Sequence, residues 1–411
     1  MGSGQTFFEE LGNENISGVA YKNLNLKKKI IAWFANVGNA TITDLSKELN
    51  ASSPKVTNLL TELAQEGLIQ DYGKIDSVSG RRPNLYGLTP DAGFFIGVEV
   101  QKYHINLGLL DFKRNLVTFK GKVPYTLENS PASLDALCSI IQEFMGELPV
   151  SKQKILGVGL NLTGRINYAT GYSYSFFYFN EEPLSKVIES RLGVRTFLEN
   201  DSRAMAYGEF CCGIVNTEKN VLYINLDHGI GMGVMINGQL YYGKSGFSGE
   251  FGHIPFFDNE LICHCGKKGC LETEASGIAL LRNFGEKLRE GVSSVIVTQH
   301  GIKPEEITLE DIVHAANNDD MLAIELIAEV GEKLGKGIAM LINLFNPEMV
   351  ILGGCMATTG DYIRLPVKNA INRYSLSLVN NDTQLAFSRL GEKAGIIGAC
   401  LLVRNKLLAL A

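Results

Sequence analysis

Cys263 follows His253 by ten positions, and Cys263, Cys265 and Cys270 form a C-x-C-x4-C cluster interleaved with Gly266 and Gly269. Three thiolates and one imidazole make a closed tetrahedral set of the kind that holds structural zinc. The two glycines let the short loop fold back so that its sulfurs converge. The alternative is three ordinary buried cysteines beside an unrelated histidine, but spacing this close favours the metal. His264 is a rival imidazole, although a residue held between two ligand cysteines is expected to point away. The predicted ligands are therefore His253, Cys263, Cys265 and Cys270, with Zn2+ as cofactor. The same loop carries Glu250, His253 and Glu272, hydrogen-bonding groups suited to a polyol.

A chain of 411 residues, 45% hydrophobic, holds two or three domains with a large core. Its net charge of -6 gives no global signal for nucleic acid. The remaining cysteines, Cys138, Cys211, Cys212, Cys355 and Cys400, are scattered in apolar contexts, which suits a reducing cytoplasm better than a disulfide framework. No signal peptide or apolar run of transmembrane length is found, so no membrane partner is expected. Met1 to Thr6 fits a myristoylation pattern but reads as a flexible start.

Three segments follow in order: an extension over 1–23, a compact module over 24–90 and a body over 91–411. In the module, Leu26, Ile30, Phe34 and Val37 share a helical face and Gly38 ends the helix. Thr41 and Asp44 have capping-box spacing, and Ile42, Leu45 and Leu49 stripe a second helix. Ser53-Pro54 predicts an N-cap with proline at the first helical position, opening a third helix with Val56, Leu59, Leu60 and Leu63 inward. Strands near 68–72 and 85–88 flank a polar loop containing Gly80-Arg81-Arg82-Pro83. Helix–turn–helix–wing is a shape that docks on DNA. Ser52, Ser53, Lys55, Thr57, Asn58 and Thr61 on the third helix, with Arg81 and Arg82 on the wing, are the expected DNA contacts. From Met1 to Pro90 there are nine Lys/Arg and nine Asp/Glu, so the positive charge is local: Lys27, Lys28 and Lys29, then Arg81 and Arg82. A winged helix used for protein contact is the alternative.

The body reads as strands at 94–100, 105–111 and 116–123, a helix at 133–147 and a strand at 155–162. A second set opens at 221–226 and continues through 233–236. It turns at Asn237-Gly238, a strong hairpin signal, and returns at 239–242. A long helix at 321–345 precedes a buried strand at 349–352. Two halves that each open with three strands predict a duplicated α/β body with a cleft between them.

The block from Gly249-Glu250-Phe251-Gly252-His253 through Glu272 resembles the signature of the ROK family of sugar kinases and sugar-responsive repressors. The segment Leu198 to Glu209 resembles the family's strand-to-helix turn, which carries a sugar-binding Asn and the catalytic Asp of kinases. The N-terminal module, with its Gly-Arg-Arg-Pro wing, resembles that of the family's repressors. The resemblance implies an actin-like (ribonuclease H-like) sugar kinase fold in two lobes. It places Gly164, Asn200, Asp201, Glu250, His253 and Glu272 on a sugar, with Asp201 at the kinase base position. Taken alone, Asn200-Asp201 is equally readable as a helix N-cap pair.

Kinases of the family hold ATP phosphates on an Asp-x-Gly-Gly-Thr turn. Here the matching stretch is Gly97-Val98-Glu99-Val100-Gln101-Lys102-Tyr103-His104, without that glycine pair or the threonine. Asp227-His228 stands where a Gly-Thr is usual, and Gly353-Gly354 fits either an adenosine-side turn or a structural one. The chain is therefore expected to be a regulator and not an enzyme. It would be a repressor that binds operator DNA, is released by a sugar or sugar phosphate, and works as a homodimer or dimer of dimers. An ATP-dependent hexose kinase is the rival, and a module docked by a partner protein is a third reading.

Overall fold

The computed structural model describes residues 7–12, 17–74, 83–179, 181–299, 301–408 and 410. Two compact units emerge, one from residues 1–160, 177–198 and 399–411, the other from 161–176 and 199–398.

The first unit opens with α1 (Phe7–Gly12), α2 (Gly18–Asn36), β1 (Ala40–Thr41), α3 (Ile42–Glu48), α4 (Ser53–Gln65), β2 (Ile69–Lys74) and β3 (Asn84–Leu88). The strands form an antiparallel sheet in the order β1-β3-β2. The expected capping box is present: Asp44 N–H donates to Thr41 Oγ1, and Thr41 N–H donates back to Asp44. Three details differ from the sequence reading. First, α2 begins at Gly18, ahead of the expected boundary at 24, and Phe7 of the preceding α1 is fully buried. Second, the N-cap of α4 is Ser52, so Ser53 is already helical. Third, the buried face of α2 is Leu24, Lys27, Ile30, Ile31, Phe34 and Ala35, while Val37 is exposed. Lys27 is thus no part of a surface charge patch. It lies within 3.1–3.6 Å of Glu10, Glu62 and Glu66.

The same unit continues with β4 (Phe94–Val100), β5 (His104–Asp111), β6 (Leu116–Pro124), α5 (Pro131–Glu147) and β7 (Ile155–Leu162). The short β8 (Ile166–Asn167) and β9 (Tyr172–Ser173) pair in the second unit, and α6 (Leu184–Leu192) and β10 (Thr196–Asn200) follow. The five-stranded sheet runs β10-β7-β4-β5-β6. The second unit holds α7 (Asp201–Cys212), β11 (Val221–Leu226), β12 (Ile230–Ile236), β13 (Gln239–Leu240), α8 (Glu272–Ala275), α9 (Gly277–Arg289), α10 (Val295–Thr298) and α11 (Leu309–Ala316). It continues through α12 (Met321–Phe345), β14 (Met349–Gly353), α13 (Asp361–Tyr374), α14 (Ser377–Asn381) and β15 (Gln384–Phe387), and α15 (Ala394–Leu408) ends the chain's regular structure. Its sheet runs β13-β12-β11-β14-β15, with antiparallel β11–β12 and β12–β13 and parallel β11–β14 and β14–β15. Numbered from the first strand of each set and read from the edge of the third strand, both sheets have the order third, second, first, fourth, fifth. The duplication expected from the sequence is therefore present in the topology.

Alternation of apolar residues on β11 explains how the second sheet is covered. Leu222, Ile224 and Leu226 face a core built on α12 through Leu326, Ile327, Val330, Leu334 and Ile338, while Val221 and Tyr223 face Met205 and Ala206 of α7. Asn237 and Gly238 both have positive φ (52° and 78°), the geometry a two-residue hairpin needs. No helix among the described residues is long and apolar enough to cross a membrane.

Candidate metal centre and ligand site

All four predicted metal ligands converge in the second unit. Ligand atoms of His253, Cys263, Cys265 and Cys270 lie within 4.8 Å of one another. Cys263 Sγ is 3.4 Å from His253 Nδ1, and Cys265 Sγ is 3.7 Å from Cys270 Sγ. Tetrahedral bonds of about 2.3 Å to sulfur and about 2.0–2.1 Å to nitrogen demand S···S near ~3.8 Å and S···N near ~3.6 Å. A disulfide would demand about 2.05 Å. The sulfur spacing therefore fits a shared ion. Gly266 and Gly269 both have positive φ, and Gly269 packs against the Phe257 carbonyl, where a Cβ would lie only 2.0 Å away. That close approach, with Cys263 N–H donating to the Lys267 carbonyl, folds the loop back.

His264 does not point away. Its Nδ1 is 2.8 Å from Glu272 Oε1, and its ring packs edge-on against His253 at 4.9 Å. The tight turn after Cys263 brings the side chain of His264 to the same side as its neighbours. Glu272 is buried and receives the Cys263 thiol at 2.8 Å as well. Burial pushes the Cys263 thiol up, and the Glu272 carboxylate beside it adds to the effect. Burial would also raise Glu272, but the His264 and Cys263 hydrogen bonds hold its carboxyl below the ordinary value. His253 Nε2 lies 3.8 Å from the exposed Glu250, so the imidazole spans the cysteines and a carboxylate.

The turn from β10 into α7 positions Asn200 and Asp201. Asn200 caps α7, accepting from Arg203 N–H, and its Nδ2 donates to the Gly164 carbonyl at 3.0 Å. The N-cap reading and the clustering of Gly164 with Asn200 thus hold together. Asp201 Oδ1 takes Asn200 Nδ2, Ser202 N–H and Ser202 Oγ at 2.7–3.2 Å. Burial, reinforced by the nearby Asp227 charge, raises the Asp201 carboxyl from an ordinary 3.8 to about 6. Asp227 is pushed up by burial but brought down overall by His228, whose Nδ1 is 3.0 Å from its Oδ1. Glu272 Oε2 lies 3.3 Å from where a Cβ on Gly229 or Gly252 would stand, so the Asp227–Gly229 turn borders the same cluster.

Sequence reasoning missed the pair that braces this turn. Arg203 Nε meets Glu199 Oε1 at 2.7 Å, both nearly fully buried. Its Nη1 donates to the Gly246 carbonyl at 2.7 Å and Nη2 to the Ile166 carbonyl at 3.2 Å. Tyr242 Oη donates to Glu199 and stacks on Tyr168 at 3.7 Å. The only advance signal is the i, i+4 spacing of Glu199 and Arg203 on a segment that the resemblance had already picked out.

In the first unit, Gln101 N–H donates to the His104 carbonyl, closing β4 onto β5 as a tight hairpin. Glu99 is buried in that sheet and accepts from Asn106 Nδ2 at 2.8 Å. On α4, Ser52, Ser53, Thr57, Asn58 and Thr61 are exposed as expected. The Thr57 and Thr61 hydroxyls donate to backbone carbonyls one turn back, and Lys55 Nζ is 2.5 Å from Asn23 Oδ1. Arg81 and Arg82 lie outside the described residues.

Two five-stranded sheets of identical order, each flanked by helices, define an actin-like body, here preceded by a helical module. Residues 95–406 match the ROK family, and the chain belongs to that family. It is similar to the xylose repressor of Caldicellulosiruptor bescii, at 28% identity over 369 residues, covering 89% of this chain and 92% of that protein. It is also similar to the glucokinase of Streptomyces coelicolor, at 31% identity over 322 residues, 76% of this chain and 98% of that protein. Among solved structures, a ROK family transcriptional regulator, a homologue of the Escherichia coli MLC protein, superposes with a TM-score of 0.78. Its identity is 26%, over 94% of this chain and 97% of that chain. The regulators thus match nearly the full length, whereas the glucokinase leaves about a quarter of the chain unmatched.

Proposed function

We propose that this protein is a sugar-responsive transcriptional repressor of carbohydrate uptake or catabolism genes, acting in the cytoplasm. The observation that carries this reading is the joining of a ROK body to an N-terminal module that full-length similarity to repressors includes and similarity to glucokinase does not. The module acts as a winged helix–turn–helix. Its α4 enters the major groove, with Ser52, Ser53, Thr57, Asn58 and Thr61 toward the bases and Arg81 and Arg82 on the wing. Lys55, engaged with Asn23, contributes by holding α4 on α2. Two modules in a homodimer, or a dimer of dimers, match a symmetric operator. Sugar, held by Asn200, Asp201, Glu250, His253 and Glu272 beside Gly164, lowers operator affinity by a coupling of a few kcal/mol.

The set of one histidine and three cysteines would hold Zn2+, which would tie down the loop carrying Glu250, His253 and Glu272. The stretch from Gly97 to His104, which lacks the Gly-Gly-Thr turn, supports a body without kinase chemistry. The glucokinase similarity makes phosphoryl transfer the reading to exclude. Fluorescence anisotropy of the zinc-loaded protein on DNA from upstream of its own gene, at fixed near-physiological salt, tests the regulator. The expected result is specific binding that a sugar weakens. Hexose-dependent ADP release from Mg-ATP, with no specific DNA binding, would replace it with the kinase.

A further inference from the structure

A phosphate carried by a ligand needs cations or unclaimed N–H donors, and the N-terminus of a helix is the usual source. At α7 two of those donors are already claimed: Ser202 N–H donates to Asp201 Oδ1 and Arg203 N–H to Asn200 Oδ1. The Arg203 guanidinium is committed to Glu199 and two carbonyls. Facing this end, Asn225 is buried, its Nδ2 3.4 Å from Ser202 Oγ, and its Oδ1 has no donor. That oxygen and the Leu226 carbonyl both crowd the Cβ position of Gly354, at 2.7 and 2.4 Å. Asp227 accepts from His228 N–H and Cys355 N–H, with His228 Nδ1 at 3.0 Å, and Glu272 Oε2 approaches the adjoining Gly229, so two carboxylates border this turn. A hydroxyl can donate to such acceptors. A phosphate dianion brings only more acceptors and charge of the same sign.

We infer that Asp227, backed by Asn225 and the self-capped start of α7, makes this protein select an unphosphorylated sugar over the corresponding sugar phosphate. The inference rests on the sugar-responsive reading and narrows its ligand. Like charges brought together in a desolvated site cost enough that the free sugar should bind at least about tenfold more tightly than its 6-phosphate. Burial is the main cause of the upward shift of Asp201, and the Asp227 charge adds to it, so the two carboxyls sense one another.

The test is equilibrium binding to the full-length zinc-loaded protein by isothermal titration calorimetry, without DNA. The probes are glucose, N-acetylglucosamine and mannose, each against its 6-phosphate. The expected result is binding of one free sugar, a 6-phosphate weaker by about tenfold or more, and a gap that shrinks at least about threefold in D227N. D227S serves as a second variant should D227N unfold, with circular dichroism as the folding control. Tighter binding of a 6-phosphate, or an unchanged ratio in a folded Asp227 variant, overturns the inference and leaves a sugar-responsive regulator standing. Arg165, exposed beside Gly164, would then be the cation to examine. With xylose and xylose 5-phosphate added as probes, binding of none in either form overturns both.

Discussion

Replacing Arg203 by methionine isolates the brace beneath the candidate ligand site. The guanidinium is 4% exposed and its Glu199 partner 6%. Removing one member of a buried pair leaves an uncompensated charge, at about 3–5 kcal/mol. Glu199 keeps the Asn200 N–H at 2.8 Å and the Tyr242 hydroxyl at 3.1 Å, which places the loss at the lower end, about 3 kcal/mol. The Gly246 and Ile166 carbonyls lose their donor too, but part of that cost is already contained in the pair measurement. For a body of roughly 150–250 residues, 1 kcal/mol corresponds to about 2–4 °C, so R203M should melt about 6–12 °C below wild type. Differential scanning calorimetry reads this directly. The double variant E199Q/R203M removes the stranded charge and should regain more than half of the loss. R203K tests the fork, since an ammonium cannot serve Glu199 and two carbonyls in the same plane. It should fall between wild type and R203M. A melting point for R203M within about 2 °C of wild type, or no recovery in the double variant, would refute the reasoning.

Three further outcomes are expected. C265S should lose bound zinc by atomic absorption and with it the sugar effect on operator binding, because one of four ligands is gone and the loop that carries Glu250, His253 and Glu272 is released; a full sugar response in zinc-free C265S would contradict this. Asp201 has a folded-state pKa raised to about 6 from 3.8, so its contribution to stability is fully present below 3.8 and is lost as pH rises through about 6. Melting curves of D201N should therefore lack the decline that wild type shows between those values, and parallel curves would count against a buried Asp201. Lys27 is raised above 10.5 despite burial, through its Glu62, Glu10 and Glu66 partners. Its stabilisation holds at neutral pH and is lost as pH rises through its folded-state value, so wild type should lose stability at alkaline pH more steeply than K27M.

What could be read in advance was set by short-range stereochemistry. The Thr41–Asp44 capping box, the Asn237-Gly238 hairpin and the bounds of α12 each follow from residues a few positions apart. The converging histidine and cysteines belong to the same class, because a C-x-C-x4-C loop can hardly fold without bringing its sulfurs together. At Lys27, partners distant in sequence decided the outcome. Lys27 looks like one of three surface lysines until Glu62 and Glu66, more than thirty positions away, draw it inward. Helical period alone held the clue, since Lys27 falls three residues after Leu24 and four before Ile31 on the buried face. His264 stays exposed, yet its Nδ1 is drawn to within 2.8 Å of Glu272, eight positions along the chain. Arg203 shows the limit most clearly. Its carbonyl partners at Ile166 and Gly246 offer no side-chain chemistry for a sequence to display. Yet that guanidinium fixes the turn bearing Asn200 and Asp201, and it withholds from α7 the positive charge that a phosphate would seek. The residue with the weakest signal in the sequence thus holds the turn on which the candidate site is built.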